Sequence, residues 1–141
     1  MTKTAAIYLR CSTEKQVSGS SLERQLRYCR NWCATNDVTY TDIVVDIGSG
    51  WDGANLSYHT STRKGNLGRL LKGYEHGFVQ KHDYFLYESG DRLCRDIFLR
   101  IDIQRHLRSL GITPEQTVTE PAEDFWTERL PPSEKVAIYQ L

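Results

Sequence analysis

Long apolar runs are missing from this sequence: none approaches the roughly 20 residues that a helical membrane span requires. The opening MTKTAAIYLR holds a short apolar segment that meets Arg10 too soon for a signal peptide, so the chain is expected to be cytoplasmic, with no membrane partner. An excess of charge of one sign is missing too. Lys plus Arg and Asp plus Glu each number 18, so the chain lacks the positive field of a stand-alone DNA-binding domain. Any affinity for nucleic acid must come largely from elsewhere. Cysteines are few, at 11, 29, 33 and 94, and follow no zinc spacing. Cys29 and Cys33 fall one helical turn apart, and the set is read as buried free thiols without a structural metal. Familiar catalytic signatures are also missing. G-x-S-x-G fails around Ser12 because Arg10 and Glu14 stand at the glycine positions. A phosphatase-type C-x5-R fails because Val17 follows Cys11 at the required distance. There is no Walker glycine run and no metal-ligand cluster, and histidines 59, 76, 82 and 106 are scattered and read as solvated.

What remains is the composition of a soluble globular domain. Of 141 residues, 39% are hydrophobic and 26% charged, enough for one core and one domain. TAAIYL (4–9) reads as a buried strand. Ser20 and Glu23 form an S-x-x-E capping box, and Leu22, Leu26, Cys29 and Cys33 recur at helical spacing, which predicts a helix over 21–35. YTDIVVDIG (40–48) is a second strand, followed by a Gly/Ser-rich loop to about 62. Leu67, Leu70, Leu71 and Tyr74 predict a helix that Gly77 stops, and DYFLYES (83–89) a third strand. Residues 91–110 read as one long helix with two apolar stripes: Leu93, Cys94, Ile97, Phe98 and Ile101 on one side, Leu99, Ile103, Leu107 and Leu110 on the other. Such a helix is expected to be covered on both sides, one of them by another subunit. A fourth strand is expected at QTVTE (116–120). This order predicts an α/β domain over 1–130, a three-layer fold with a mostly parallel central sheet of four or five strands flanked by helices. After Pro131 and Pro132, SEKVAIYQL starts a helix at Ser133 too short to stand alone, so residues 131–141 are read as the start of a truncated helix leading into a further region.

In an open α/β sheet, sites form where strands deliver their carboxyl ends. Three loops should therefore converge: Arg10–Gln16, Asp46–Arg63 and Asp91–Arg95. They bring Arg10, Arg63, Arg92 and Arg95 around Ser12, with Gln16, Gln25, Asp46 and Asp91 nearby. Displacement at a phosphodiester gathers negative charge on non-bridging oxygens, and planar guanidinium forks match that geometry. With no metal cluster in the sequence, arginine must do the neutralising, and neither metal nor cofactor is expected. Taken singly, each arginine reads as a surface ion-pair partner. Four at strand ends favour a site.

The ordered set Y-L-R-C-S-T-E-K-Q, S-L-E-R-Q, D-I-G-S-G, R-K-G and G-D-R-L-C-R-D resembles the catalytic domain of the serine recombinases, the resolvase/invertase and serine-integrase family, over roughly residues 4–120. The G-S-S-L-E-R-Q segment is nearest the large serine recombinase branch. The resemblance implies a resolvase-like fold and a DNA recombinase in which Ser12 attacks a phosphodiester, becomes linked to the 5′ phosphate and frees a 3′ hydroxyl. It also implies that Arg10, Arg92 and Arg95 bind the scissile phosphate with help from Arg63. Gln16, Gln25, Asp46 and Ser49 would organise the site, and Asp91 would position arginines or help transfer protons. One residue is inserted in RKGNLGRLL against the family's usual spacing, so either Arg63 or Lys64 fills the arginine role. The implied partners are duplex DNA and further copies of the chain, as a homodimer and then a tetramer, and strands would be rejoined without ATP. Two other readings stand beside this one. One is a catalytically silent resolvase-like module for dimerisation or regulation; the other is a small-molecule phosphate or nucleotide binder, which the lack of a glycine-rich phosphate loop disfavours.

Overall fold

The protein, seen as a computed structural model, is described at residues 2–11, 20–47 and 65–118. The Ser-rich loop at 57–62 and the helix expected from 133 lie outside them. The elements run β1 (Lys3–Cys11), α1 (Ser20–Asn36), β2 (Val38–Ile47), α2 (Gly65–His76), β3 (Tyr84–Tyr87), α3 (Gly90–Leu93), α4 (Ile97–Ser109) and β4 (Thr113–Gln116). The four strands form one sheet in the order β2-β1-β3-β4, and every pairing is parallel. The expected α/β class and parallel sheet are therefore what is found.

β1 is central and buried from Ala5 through Cys11, as a parallel strand covered on both faces must be. Its alternation divides the core. Ala5, Ile7 and Leu9 pack with Cys29 and Cys33 of α1, whereas Ala6 and Tyr8 pack with Leu67, Leu71 and Tyr74 of α2 and Ile103 and Leu107 of α4. The chain steps from β1 to one side for β2 and to the other for β3. Right-handed crossovers then place α1 on one face and α2 and α4 on the opposite face. A register shift opposite Ala5/Ala6 leaves Thr41 without a partner on β1. This bulge lets Tyr40 pack on the α1 face, while Val44 joins the other core and Asp46 comes into register with Arg10.

Helix ends follow local chemistry. α1 stops at Asn36 and Asp37 takes a left-handed φ of 55°, which turns the chain into β2 within one residue. Gly77, expected as a stop, does so with φ 75°. All four cysteines are buried thiols outside any disulfide, and burial pushes the Cys29 thiol up to about 12. These are packing groups rather than nucleophiles.

Three expectations are corrected. The single helix over 91–110 is two helices. Cys94 is extended (φ −167°, ψ 132°), and the Asp96 carboxylate accepts hydrogen bonds from the Phe98 and Leu99 amides at 3.0 and 3.2 Å, starting α4 afresh. The break dissolves the first stripe: Leu93 and Cys94 are fully buried, but Ile97 and Phe98 are 60% and 82% exposed. Within α4 only the second stripe packs inward. The fourth strand begins at Thr113, three residues ahead of the expected start. Pro114 carries no donor for a ladder, and an edge strand tolerates that; Thr117 and Val118 still donate to the Tyr87 and Glu88 carbonyls at 2.8 and 3.0 Å. The third concerns His82, expected in solvent. It is buried between the Tyr74 hydroxyl at 2.6 Å and the Asp42 carboxylate at 2.7 Å.

The inward stripe gives a direct test. Leu107→Ala should lower unfolding free energy by about 2–5 kcal/mol, whereas Phe98→Ala should stay within about 0.5 kcal/mol. Urea denaturation of both variants reads the difference, and similar losses would mean that Phe98 is covered in solution.

Candidate active site

The carboxyl ends of β1 and β3 meet at Arg10. Its side chain alternates onto the α2/α4 face of the sheet and is completely buried. A buried guanidinium must have its donors satisfied, and backbone carbonyls do this. Arg10 Nε donates to the Arg92 carbonyl at 3.1 Å, and an Arg10 terminal nitrogen donates to the Asp91 carbonyl. The short α3 turn is thereby clamped onto the end of β1. The backbone of Arg10 is held from the other side of the sheet by Gln25 of α1, whose Oε1 accepts from the Arg10 amide at 3.2 Å and whose Nε2 donates to the Arg10 carbonyl at 2.9 Å. Gln25 is fully buried. This two-way amide grip fixes the backbone of the residue two positions before Ser12.

Burial lowers the Arg10 pKa from its ordinary value; the Arg95 and Arg92 cations push the same way, while Tyr8 and Asp91 oppose them. A guanidinium stays charged regardless. Three cations therefore gather at one strand end. For Asp91, burial pushes the carboxyl upward, but a 2.6 Å hydrogen bond from the Ser89 hydroxyl, together with Arg92 and Arg10, leaves it below the usual carboxylate value. It is ionised at neutral pH. An ionised carboxylate can pair with arginines or accept a proton, so both roles implied for it are open to this state.

Asp46 lies in register with Arg10, yet its carboxylate faces α2. Oδ1 accepts from the Asn66 amide at 2.7 Å, and Oδ2 accepts from the Leu67 amide and the Tyr8 hydroxyl, both at 3.0 Å. It satisfies amides at the start of α2 and ties that helix to two strands. Burial, then Asp46, raise the Tyr8 hydroxyl well above its ordinary pKa, so it is a neutral donor.

The structure thus brings Arg10, Gln25, Asp91, Arg92 and Arg95 together and sets Asp46 beside them as a scaffold. Ser12, Gln16, Ser49, Arg63 and Lys64 lie outside the described residues. Three contributors escaped the sequence reading. Glu88, directly after β3, is buried and takes both Nε and a terminal nitrogen of Arg24 at 2.7 and 3.2 Å. Arg100 donates from Nε to the Cys94 carbonyl at 2.8 Å and lies across Gly90, where a Cβ would come within 2.5 Å of its guanidinium. Tyr8 completes the Asp46 cap. Their signal was faint: a polar residue ending an apolar strand, a glycine opening a turn and a tyrosine inside a strand. Among the described residues no group of His, Cys, Asp and Glu could hold a metal.

Two outcomes follow. Asp46→Ala strips a cap and leaves the Tyr8 hydroxyl buried without its acceptor, so a loss of about 2–4 kcal/mol is expected from denaturant curves; Tyr8→Phe should recover part of it in a double-mutant cycle. For Asp91 the depressed folded pKa means that its stabilisation is present above the unfolded value of about 3.9 and is lost as pH falls through the folded value. The gap in melting temperature between wild type and Asp91→Asn should be full at neutral pH and close on acidification. A gap that widened in acid would reverse the assignment.

Comparison with known proteins agrees with this fold. The family model for the resolvase N-terminal domain matches residues 5–114. The uncharacterized protein YbcK of Escherichia coli strain K12 is 34% identical over 97 residues, which make up 67% of this chain and 18% of YbcK. The chain therefore spans less than a fifth of that relative's length. The C-terminal catalytic domain of ISC1926 TnpA, an IS607-like serine recombinase, superposes with a TM-score of 0.61 at 26% identity, covering 89% of this chain and 76% of that one. The N-terminal catalytic domain of TP901-1 integrase gives a TM-score of 0.63 at 22% identity, covering 82% of this chain and 78% of that one, a likeness of fold alone. With its parallel sheet and most of its length matched in this way, the chain belongs to the resolvase family, as a serine recombinase catalytic domain.

Proposed function

We propose that this domain breaks and rejoins DNA at specific sites through a covalent bond between Ser12 and a 5′ phosphate. The observation that carries the reading is the buried Arg10, fixed through backbone and side chain two residues before Ser12 and flanked by the Arg92 and Arg95 cations. In this reading the Ser12 hydroxyl loses its proton and attacks phosphorus. The bond to the 3′ oxygen breaks, that oxygen takes up the proton that Ser12 gave up and leaves as a hydroxyl, and the phosphate stays esterified to Ser12. Rejoining is the reverse: a 3′ hydroxyl attacks the phosphoserine and returns the proton to Ser12. Bond energy is conserved, so no nucleotide is consumed. Charge building on the non-bridging oxygens is met by Arg10, Arg92 and Arg95, with Arg63 or Lys64 as a further cation.

Gln25 acts by holding Arg10, and Asp91 by keeping a negative charge among the arginines. Gln16 and Ser49 complete the site, and Asp46 braces it from behind. Duplex DNA is the substrate, and cleavage of both duplexes at paired sites calls for four copies, assembled from two DNA-bound dimers. The balanced formal charge of the chain supports a division of labour in which sequence-specific DNA affinity resides outside this domain.

The test is a covalent trap. Full-length protein incubated with its own recombination-site DNA should give a denaturant-resistant protein–DNA adduct that disappears in Ser12→Ala, while DNA binding persists, because the change removes a hydroxyl and no charge. Arg92→Ala should slow adduct formation by about 10²–10³-fold. An adduct that survives Ser12→Ala would displace the nucleophile. Binding at the correct site with no adduct in wild type would make the arginine cluster a phosphate dock.

A further inference from the structure

Arg92 has an odd environment. Its Nε is buried yet makes no hydrogen bond among the described residues. The Glu88 carboxylate oxygen Oε1 lies 3.8 Å away, beyond hydrogen-bond range. A carboxylate so near a guanidinium would ordinarily close into a short bidentate pair. Glu88 does close into such a pair, but with Arg24 of α1, which takes one carboxylate oxygen through Nε at 2.7 Å and the other through a terminal nitrogen at 3.2 Å. Glu88 cannot easily drift, since it is 6% exposed and its carbonyl accepts from the Val118 amide at 3.0 Å.

We infer that Glu88, clasped by Arg24, is a positioning residue for Arg92: it holds that cation at the strand ends by charge while leaving its donors for an anion. This rests on the reading of Arg92 as a phosphate ligand. The physical need is clear. Arg92 and Arg95 each act against the Arg10 cation, and without a fixed negative charge the long Arg92 side chain would be driven toward solvent. A carboxylate free to hydrogen-bond Arg92 would hold it but would also compete with phosphate for the same fork. Arg24 resolves the conflict by occupying the carboxylate. Successive residues of α1 therefore serve the two strand ends, Arg24 through Glu88 after β3 and Gln25 through the backbone of Arg10 on β1.

The bland alternative is that Arg24 and Glu88 merely staple α1 to β3. A charge swap separates the two. In full-length protein, Glu88→Gln should lower the rate of Ser12-dependent adduct formation at least tenfold and shift or broaden the Arg92 Nε–H signal in nitrogen-15 NMR, assigned through Arg92→Lys. The double variant Arg24→Glu with Glu88→Arg rebuilds the staple but sets a cation beside Arg92. It should recover most of the melting temperature and none of the rate. Recovery of both, or a Glu88→Gln variant with unchanged rate and unchanged Arg92 signal, would overturn the inference. Should Glu88→Gln fail to fold, Arg24→Gln serves instead. Its released Glu88 should close onto Arg92, slow exchange of the Nε–H with water and reduce the rate; faster exchange would overturn the inference. If wild-type protein forms no adduct at all, the recombinase reading fails, while the Arg92 signal still decides whether Glu88 places it.

Discussion

The arrangement depends on one costly act, the burial of the Arg10 guanidinium at the end of β1. An isolated buried charge is strongly unfavourable unless its donors are met and its field is balanced. The carbonyls of Asp91 and Arg92 meet the donors, which requires a tight turn directly after β3 rather than a continuous helix. That requirement explains why α3 is short, why the chain opens at Cys94 and why Asp96 must cap a second helix. The break that looks like a defect in a long helix is what lets two backbone carbonyls face one arginine.

A second consequence is electrostatic. Cations concentrated at the strand ends destabilise the unliganded protein, and acidic residues around them moderate this. Asp91 is held ionised by Ser89, Arg92 and Arg10. Glu88 is held by Arg24. Asp46, by contrast, is spent on the backbone of α2 and on Tyr8. Three acids at the ends of parallel strands thus do three different jobs, decided by which donors lie within 3 Å and not by residue type.

The opposite end of the sheet shows how a polar group can be buried without serving the site. His82 sits between Tyr74 and Asp42, beneath the start of β3 and far along β2 from Asp46. Burial, then Asp42, raise the Tyr74 pKa above its ordinary value. The network joins α2, β2 and the segment before β3, a structural use of a histidine that spacing alone could not separate from a solvated one.

Much of this was legible beforehand because it is local. The apolar run of β1, the helical spacing of Leu67, Leu70, Leu71 and Tyr74, and the stop at Gly77 depend on near neighbours, and their order implies a parallel sheet. The convergence of Arg10, Asp91, Arg92 and Arg95 was legible too, since strand order forces carboxyl ends together. The split at Cys94, the outward turn of Ile97 and Phe98, the start of β4 at a proline and the engagement of Glu88 by Arg24 were not. Each depends on a partner 64 or more residues away or on a hydrogen bond whose geometry exists only after packing. Sequence by itself determined which groups reach the strand ends; the tertiary structure decided which of them are consumed by backbone, which hold one another and which are left with an unsatisfied donor, because hydrogen bonds saturate and spacing along a chain carries no record of who has already been satisfied.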